Sequence, residues 1–196
     1  MESTVYFRAF EPEDAVLIHE WKNSDELNKL TVGLNKKTCF EEDKKWVEDR
    51  MAHNPFYAYW AICAKDTNKM IGWCCLTEIH YINSSANFSG IMIGNKDYQD
   101  GFAWIETYRF VLEYVFERLN LHRMYGSHLV SHKQSDAIAR ALFIRNEGIQ
   151  KEAIFKNEKY EDLSIDAILA DEYFAHKEAG DYEFKKIVKR LINNLK

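Results

Sequence analysis

The sequence predicts a single α/β domain whose mixed, mostly antiparallel sheet carries helices on both faces. Strand-like segments with alternating side chains occur in both halves of the chain. Three of them, within residues 57–93, are joined by short turns, which indicates an antiparallel meander. Apolar residues then recur at helical spacing over residues 103–119. A length of 196 residues suits one domain with a substantial core.

The elements alternate in a definite order along the chain. Strands are predicted at residues 5–10, 57–64, 70–81, 86–93, 124–130, 149–155 and 160–168. Helices are predicted at residues 12–24, 39–51, 103–119 and 135–144, with an amphipathic helix in the basic tail. We therefore divide the chain into a domain of residues 1–175 and a C-terminal amphipathic segment of residues 176–196, which packs on its own domain or on a partner subunit as a homodimer.

Composition excludes several classes of protein. A formal net charge of −5 gives no general electrostatic footprint for nucleic acid. The four cysteines form no Cys-x-x-Cys pair, so neither a disulfide framework nor a structural metal is expected. The N-terminus shows no signal-peptide pattern, and no apolar stretch is long enough to span a bilayer. We expect a cytoplasmic protein with reduced cysteines and no membrane partner.

Several segments carry a family resemblance. The stretch "IMIGNKDYQDGFAWIETYRFVLEYVFERLNLHRMYGSHLV" resembles the central region of the GNAT N-acetyltransferases, and "YVFERLNLHRMY" is especially similar to the RimJ/RimL-type and spermidine N-acetyltransferases. "EIHYINSSANFSGIMI" looks like the same region of the spermidine enzymes. "FRAFEPEDA" near the start and "YEDLSIDAIL" near the end fit the same family. The resemblance covers about residues 5–174 and implies a GNAT-like fold.

The resemblance implies acetyl-coenzyme A as the cofactor. The strand that contains Ile91, Met92 and Ile93 would splay from the strand at residues 124–130, so that its open backbone groups pair with the pantetheine amides. A glycine-containing turn that enters a helix presents free N–H groups to the pyrophosphate. The residues of this turn and first helical turn would be Gln99, Gly101, Phe102, Ala103 and Trp104. The loop departs from the family pattern, and Asp100 would bring a carboxylate near the pyrophosphate.

The proton chemistry is predicted to depend on few residues. Asn87 stands where the spermidine enzymes have a glutamate, and Phe143 best matches the place of the family tyrosine. Glu78 and His80 share one face of an alternating strand, where they could relay a proton or simply meet solvent. The remaining candidates are His132, which would donate to the cofactor or take the amine proton, and Ser131 as a weak acid.

The predicted function is transfer of an acetyl group from acetyl-coenzyme A to a primary amine by direct attack. The acceptor is left open between a polyamine, an amino sugar and a protein N-terminus. Because the catalytic pattern is incomplete, the alternative is a non-catalytic acyl-coenzyme A-binding domain. The partners expected from the sequence are therefore a small amine or a peptide N-terminus.

Overall fold

The computed structural model describes residues 3–33 and 36–194, which form a seven-stranded sheet with helices on both faces. The strands lie in the spatial order β1-β2-β3-β4-β5-β7-β6. Their bounds are Val5–Arg8 (β1), Ala58–Ala64 (β2), Met70–His80 (β3), Ser85–Ile93 (β4), Arg123–Leu129 (β5), Arg145–Lys156 (β6) and Lys159–Leu169 (β7). Among the described residues, β4 and β5 pair in parallel and the other neighbours pair antiparallel. The predicted fold class is confirmed.

The helices follow the prediction with three differences. Their bounds are Asp14–Lys22 (α1), Asp25–Asn28 (α2), Phe40–Met51 (α3), Phe102–Glu113 (α4), Lys133–Ala141 (α5), Ala170–Glu178 (α6) and Phe184–Asn194 (α7). The long predicted helix changes after α4 into a π-helical turn, Tyr114–Arg118. Helix α5 ends earlier than predicted. Helix α6 was not predicted because it buries little besides Tyr173, and the domain boundary placed at residue 175 falls within it. Every helix in the described part of the chain is too short or too polar to cross a membrane.

The core has one layer on each face of the sheet. On one face, α4, α5 and α7 cover a cluster that includes Leu112, Phe116 and Met124. On the other face, α1 and α3 cover a smaller cluster around Ile18 and Val47. Successive side chains of each strand point alternately into the two layers. A gap between two strands would therefore be open to both faces of the sheet.

Such a gap opens between β4 and β5. The two strands pair only from Ser85 to Asn87 of β4. Beyond that point Ser89 is an extra residue in β4, since Gly90 and Phe88 face consecutive residues of β3. A bulge of this kind bends the strand and increases its twist. On the facing strand, a Cβ added at Gly126 would lie only 3.0 Å from the carbonyl oxygen of Phe88. Glycine at this position therefore permits the close approach of the two backbones where the strands begin to diverge.

The loop after α1 is fixed by a buried carboxylate, Asp43 of α3, whose side chain is fully buried. It accepts hydrogen bonds from Thr38 Oγ1 at 2.6 Å and from the ammonium of Lys22, and His19 Nδ1 lies 2.7 Å away. Burial opposes the charge, but the hydrogen bonds from Lys22, Thr38 and His19 outweigh it and lower the pKa of Asp43. The carboxylate therefore joins α1, α3 and the intervening loop.

We expect Asp43→Asn to lower the free energy of unfolding at pH 7 by about 2 kcal/mol, because its buried partners lose a charged acceptor. The pKa of Asp43 is lower in the folded chain, so its contribution is present above about pH 4 and is lost as the pH falls through the folded-state pKa. Urea titrations from pH 7 to pH 3 should show the two proteins converging. Asp49→Asn, at an exposed site of the same helix, is the control. A difference that stays constant with pH would contradict this role.

Helix α7 packs on its own chain. Ile187 is fully buried, Arg190 Nε donates to the carbonyl of Ala141 at 2.8 Å, and Asn194 Nδ2 donates to that of Ala137 at 3.2 Å. These contacts dock α7 on α5. Self-association as a homodimer stays a prediction, and residues 195 and 196 of the predicted tail lie outside the described residues.

Ile187→Ala should lower the free energy of unfolding by about 3 kcal/mol, because a fully buried side chain leaves a cavity. Ile192→Ala, on the same helix but half exposed, is the matched control and should change stability by less than about 1 kcal/mol. Chemical denaturation measures both. Equal effects of the two substitutions would show that α7 is not docked as described.

Candidate active site

A cavity of about 530 Å³ occupies the gap between β4 and β5. Its lining comes from both faces of the sheet. Lys22, Leu27 and Trp73 line it on the side of α1, and Tyr108 and Ala139 line it on the side of α4 and α5. The cavity is therefore open to two reactants that enter from opposite faces and contact each other inside the sheet.

The wall formed by β4 presents backbone groups. In an antiparallel pair, alternate residues direct their N–H and C=O groups away from the partner strand. β4 pairs with β3 as far as Ile93, whereas its pairing with β5 ends at Asn87. The outward backbone groups between those points consequently face the cavity. Ile91, Met92 and Ile93, which were predicted to bind the cofactor, all line it.

The turn before α4 closes one end of the cavity. Gly101 has a φ of 93°, in the left-handed region that favours glycine. The carboxylate of Asp100 accepts the N–H of Phe102 at 2.9 Å, so one N–H group of the first helical turn is already occupied. The Gln99 side-chain amide donates to the carbonyl of Ile93 at 2.8 Å, and this bond ties the turn to the end of β4.

The predicted residues of this turn divide into two groups. Gln99 and Trp104 line the cavity. Gly101, Phe102 and Ala103 lie beside it: Ala103 is buried in the core, and the ring of Phe102 lies 5.6 Å from that of Phe184 in α7. The side chains of Phe102 and Ala103 therefore do not line the cavity, and the backbone N–H groups of this second group are part of the helix N-terminus.

His132 lines the cavity at the start of α5. Its Nδ1 accepts the N–H of Ser135 at 3.3 Å, and its ring lies 6.3 Å from that of Trp104. Burial, with a smaller effect of neighbouring His128, lowers the pKa of His132. A neutral imidazole that accepts at Nδ1 carries its proton on Nε2. The geometry thus favours donation by His132 over removal of a proton from an amine.

Glu78, His80 and Ser131 lie outside the cavity lining. Glu78 and His80 are exposed while Ile79 between them is buried, and Glu78 has a φ of 50° within a second bulge of β3. The hydroxyl of Tyr125 donates to the Glu78 carboxylate at 2.6 Å. Ser131 is exposed just after β5.

Tyr125 does line the cavity. Burial and the Glu78 carboxylate raise the pKa of Tyr125 to about 12, which keeps its phenol protonated. Glu78 is therefore connected to the cavity through Tyr125, and its contact with the site is indirect.

The structure corrects the alignment of Phe143. Its ring stacks on His176 with centroids 3.6 Å apart, and the Arg190 guanidinium lies 4.5 Å from it on the outer side of α5. With a φ of 61°, Phe143 occupies the left-handed position that follows a helix and usually holds glycine. The α5 residue that faces the cavity one turn after Ser135 is Ala139. Phe143→Tyr would consequently place no phenol in the cavity.

Among the cavity residues that sequence reasoning missed are Tyr108, Tyr125, His128 and Asp166. His128 Nδ1 lies 2.7 Å from Asp166 Oδ2, and both side chains are nearly buried. A histidine and an aspartate, each inside an apolar strand pattern, were the available signals. Their contact could not be foreseen, since it requires the pairing of β5 with β7.

A covalent cysteine mechanism finds no support. Cys74 and Cys75 are buried in β3. Burial raises the pKa of Cys74 well above its ordinary value and that of Cys75 to about 12. A thiol is nucleophilic as its thiolate, so these groups are unreactive at neutral pH.

Comparison with known proteins agrees with this architecture. Spermidine N(1)-acetyltransferase of Vibrio cholerae serotype O1 is 29% identical over 179 residues, which span 91% of this chain and 100% of that protein. The crystal structure of spermidine N-acetyltransferase from Vibrio cholerae in complex with CoA and spermine has a TM-score of 0.80 and 25% identity, covering 88% of this chain and 99% of the other. A GNAT-family acetyltransferase from Bacillus anthracis, at 20% identity, shares the fold with a TM-score of 0.73, over 88% of this chain and 98% of that one.

A family model described as "Acetyltransferase (GNAT) domain" matches residues 4–142 of the chain. This range spans more than half of the 196 residues and contains β1 to β5, the opening between β4 and β5, and the start of α4. The chain therefore belongs to the GNAT acetyltransferase family.

Proposed function

We propose that this protein transfers the acetyl group of acetyl-coenzyme A to the primary amine of a small molecule by direct attack. The observation that carries the proposal is the cavity at the opening of β4 and β5, which is lined from both faces of the sheet. A donor and an acceptor that enter from opposite faces would meet there. Direct attack needs no covalent enzyme intermediate, in agreement with the burial of Cys74 and Cys75 beside the cavity wall.

The donor side fits coenzyme A. The N-terminus of α4 offers backbone N–H groups and a positive dipole end to the pyrophosphate. The pantetheine arm would run from there along β4, from Ile93 back toward the bulge at Ser89, with its amides on the open backbone groups. The thioester then lies near the point where the strands diverge, within reach of a proton donor such as His132.

The acceptor side is lined by a loop that is fixed by hydrogen bonds from a residue far along the chain. Lys156 of β6 is buried, and its ammonium donates to the carbonyls of Thr31 and Gly33 at 2.5 and 3.0 Å. Burial lowers the pKa of Lys156, so these carbonyls are the groups that stabilise its charge. Lys156 thereby fixes the loop whose Leu30 and Val32 face the cavity.

The charges of the lining bear on the choice of acceptor. Its described carboxylates are Glu26 and Asp166. Glu26 bonds Lys96 at 2.7 Å, and Asp166 contacts His128. A polyamine carries several positive charges that would need free carboxylates. The relatives named for spermidine make polyamines the first class to test, whereas this lining suits an amine with one charge and an apolar remainder.

We expect Gly101→Glu to weaken acetyl-coenzyme A binding at least tenfold, because it adds a negative charge beside the pyrophosphate and strains a left-handed residue. Gly101→Gln carries the same strain without the charge and should weaken binding less. Isothermal titration calorimetry gives both dissociation constants, with melting curves to confirm folding. Indistinguishable affinities of the two variants would argue against a pyrophosphate at this turn.

The neighbouring carboxylate provides the opposite test. Asp100→Asn keeps a side-chain acceptor for the N–H of Phe102 but removes a negative charge, and should tighten acetyl-coenzyme A binding several-fold. The gain should shrink in high salt, since screening weakens exposed charge interactions. Weaker binding by this variant would mean that Asp100 supports the cofactor site.

Acceptor choice is tested by release of free coenzyme A with a panel of spermidine, spermine, amino sugars, peptides with free N-termini and arylalkylamines. We expect turnover with primary amines, and a higher kcat/KM for a monoamine with an apolar remainder than for spermidine. A preference for spermidine would assign the chain to the activity of its relatives. Cofactor binding without turnover on any amine would overturn the proposed function in favour of an acyl-coenzyme A-binding domain.

A further inference from the structure

The cavity lining includes a histidine–aspartate pair, His128 and Asp166, whose side chains contact each other. His128 lies on β5 and Asp166 on β7, with side chains 13% and 10% exposed and Nδ1 2.7 Å from Oδ2. The second carboxylate oxygen, Oδ1, accepts from Ser164 Oγ at 2.9 Å and from Asn146 Nδ2 at 3.2 Å. These bonds fix the orientation of Asp166 and leave Oδ2 for the imidazole.

This arrangement determines the tautomer of His128. At 2.7 Å from a carboxylate oxygen, Nδ1 of His128 carries the proton, because two lone pairs at this distance would repel each other. The lone pair of the neutral ring is then on Nε2. The imidazole lines the cavity. Of the two cavity histidines in the described chain, His128 is therefore the one whose free lone pair is on Nε2. His132 has the opposite arrangement, with its Nδ1 accepting from Ser135.

The position of His128 along the sheet matches the expected site of reaction. β4 and β5 run in parallel, with Asn87 opposite Tyr125 as the last pair. Three residues further along each strand stand Gly90, just beyond the bulge at Ser89, and His128, and both line the cavity. A thioester delivered along β4 toward this bulge would arrive across the gap from the imidazole.

Other groups around the pair agree with this role. Tyr108 of α4 and His132 at the start of α5 face the pair from the helical layer. Burial and the charge of Asp166 raise the pKa of Tyr108, and burial and His128 lower that of His132. Both neighbours are therefore neutral at physiological pH, and α5 lines the cavity with the uncharged residues Gln134, Ser135 and Ala139. His128 is consequently the group there that can accept a proton.

Resting on the proposed function, we propose that His128 is the catalytic residue that removes the proton from the attacking amine, with Asp166 as its positioning residue. The acceptor ammonium first releases one proton to solvent. The neutral amine nitrogen then forms the C–N bond to the acetyl carbonyl carbon, and a second proton passes from that nitrogen to Nε2. The C–S bond breaks with its electron pair on sulfur. The imidazolium returns the proton to the thiolate, so that one proton has moved from nitrogen to sulfur and the histidine is again neutral.

The first test measures kcat, KM and acetyl-coenzyme A affinity for wild type, His128→Gln, Asp166→Asn and the exposed-site control His53→Gln. General base catalysis contributes on the order of a hundredfold or more. We expect His128→Gln to lose kcat by that factor with cofactor affinity unchanged, and Asp166→Asn to lose kcat because the amide favours the wrong tautomer. The fall of kcat/KM toward acidic pH should be weaker in His128→Gln than in wild type. His53→Gln should match wild type in all three quantities.

A second test excludes a merely structural effect. Added imidazole should restore turnover to His128→Gly, since a small base can occupy the vacated space, and should not raise turnover of the control. His128→Gln within threefold of wild type, with an unchanged pH profile, would overturn the proposal while leaving the acetyltransferase function intact. A wild type that binds acetyl-coenzyme A but acetylates no amine would instead overturn the proposed function, and the base role with it.

Discussion

The divergence of β4 from β5 is the constraint on which the rest of the structure depends. Two parallel strands that pair for three residues and then separate leave a hole in the sheet, which must be filled by a ligand or lined by ordered groups. The bulge at Ser89 bends one strand away, and Gly126 permits a close backbone approach where the separation begins. Without this opening the two layers of the core would have no connection, and no cavity would exist.

Each layer supplies a different kind of group to this opening. The face of α4 and α5 contributes the helix N-terminus, His132 and the His128–Asp166 pair, which suit an anionic cofactor and proton transfer. The face of α1 contributes both polar and apolar side chains, on a loop that two buried charges hold in place, Asp43 at one end and Lys156 from β6. Burying a charge is unfavourable unless it is hydrogen-bonded, so both residues fix the loop firmly to its surroundings.

The family pattern is altered in this chain in a coherent way. The expected tyrosine of α5 is absent from the cavity, where Ala139 leaves space instead. On the neighbouring strands His128 and Asp166 contact each other and also line the cavity. With this pair in the proposed base role, the reaction class is unchanged while its pH dependence differs.

The sequence by itself determined the order of strands and helices, the mixed sheet and the turn at Gly101, because these follow from local periodicity, glycine placement and short motifs. The splayed strand was expected from the family resemblance alone. It did not determine which polar residues converge. His128 and Asp166 are 38 positions apart and meet only through the β5–β7 register, and Phe143 was assigned to the cavity although its left-handed backbone turns it outward. The bulges at Glu78 and Ser89 likewise depend on pairing between strands. Such contacts depend on strand register and on where each helix ends, and a sequence pattern does not specify either to within one residue.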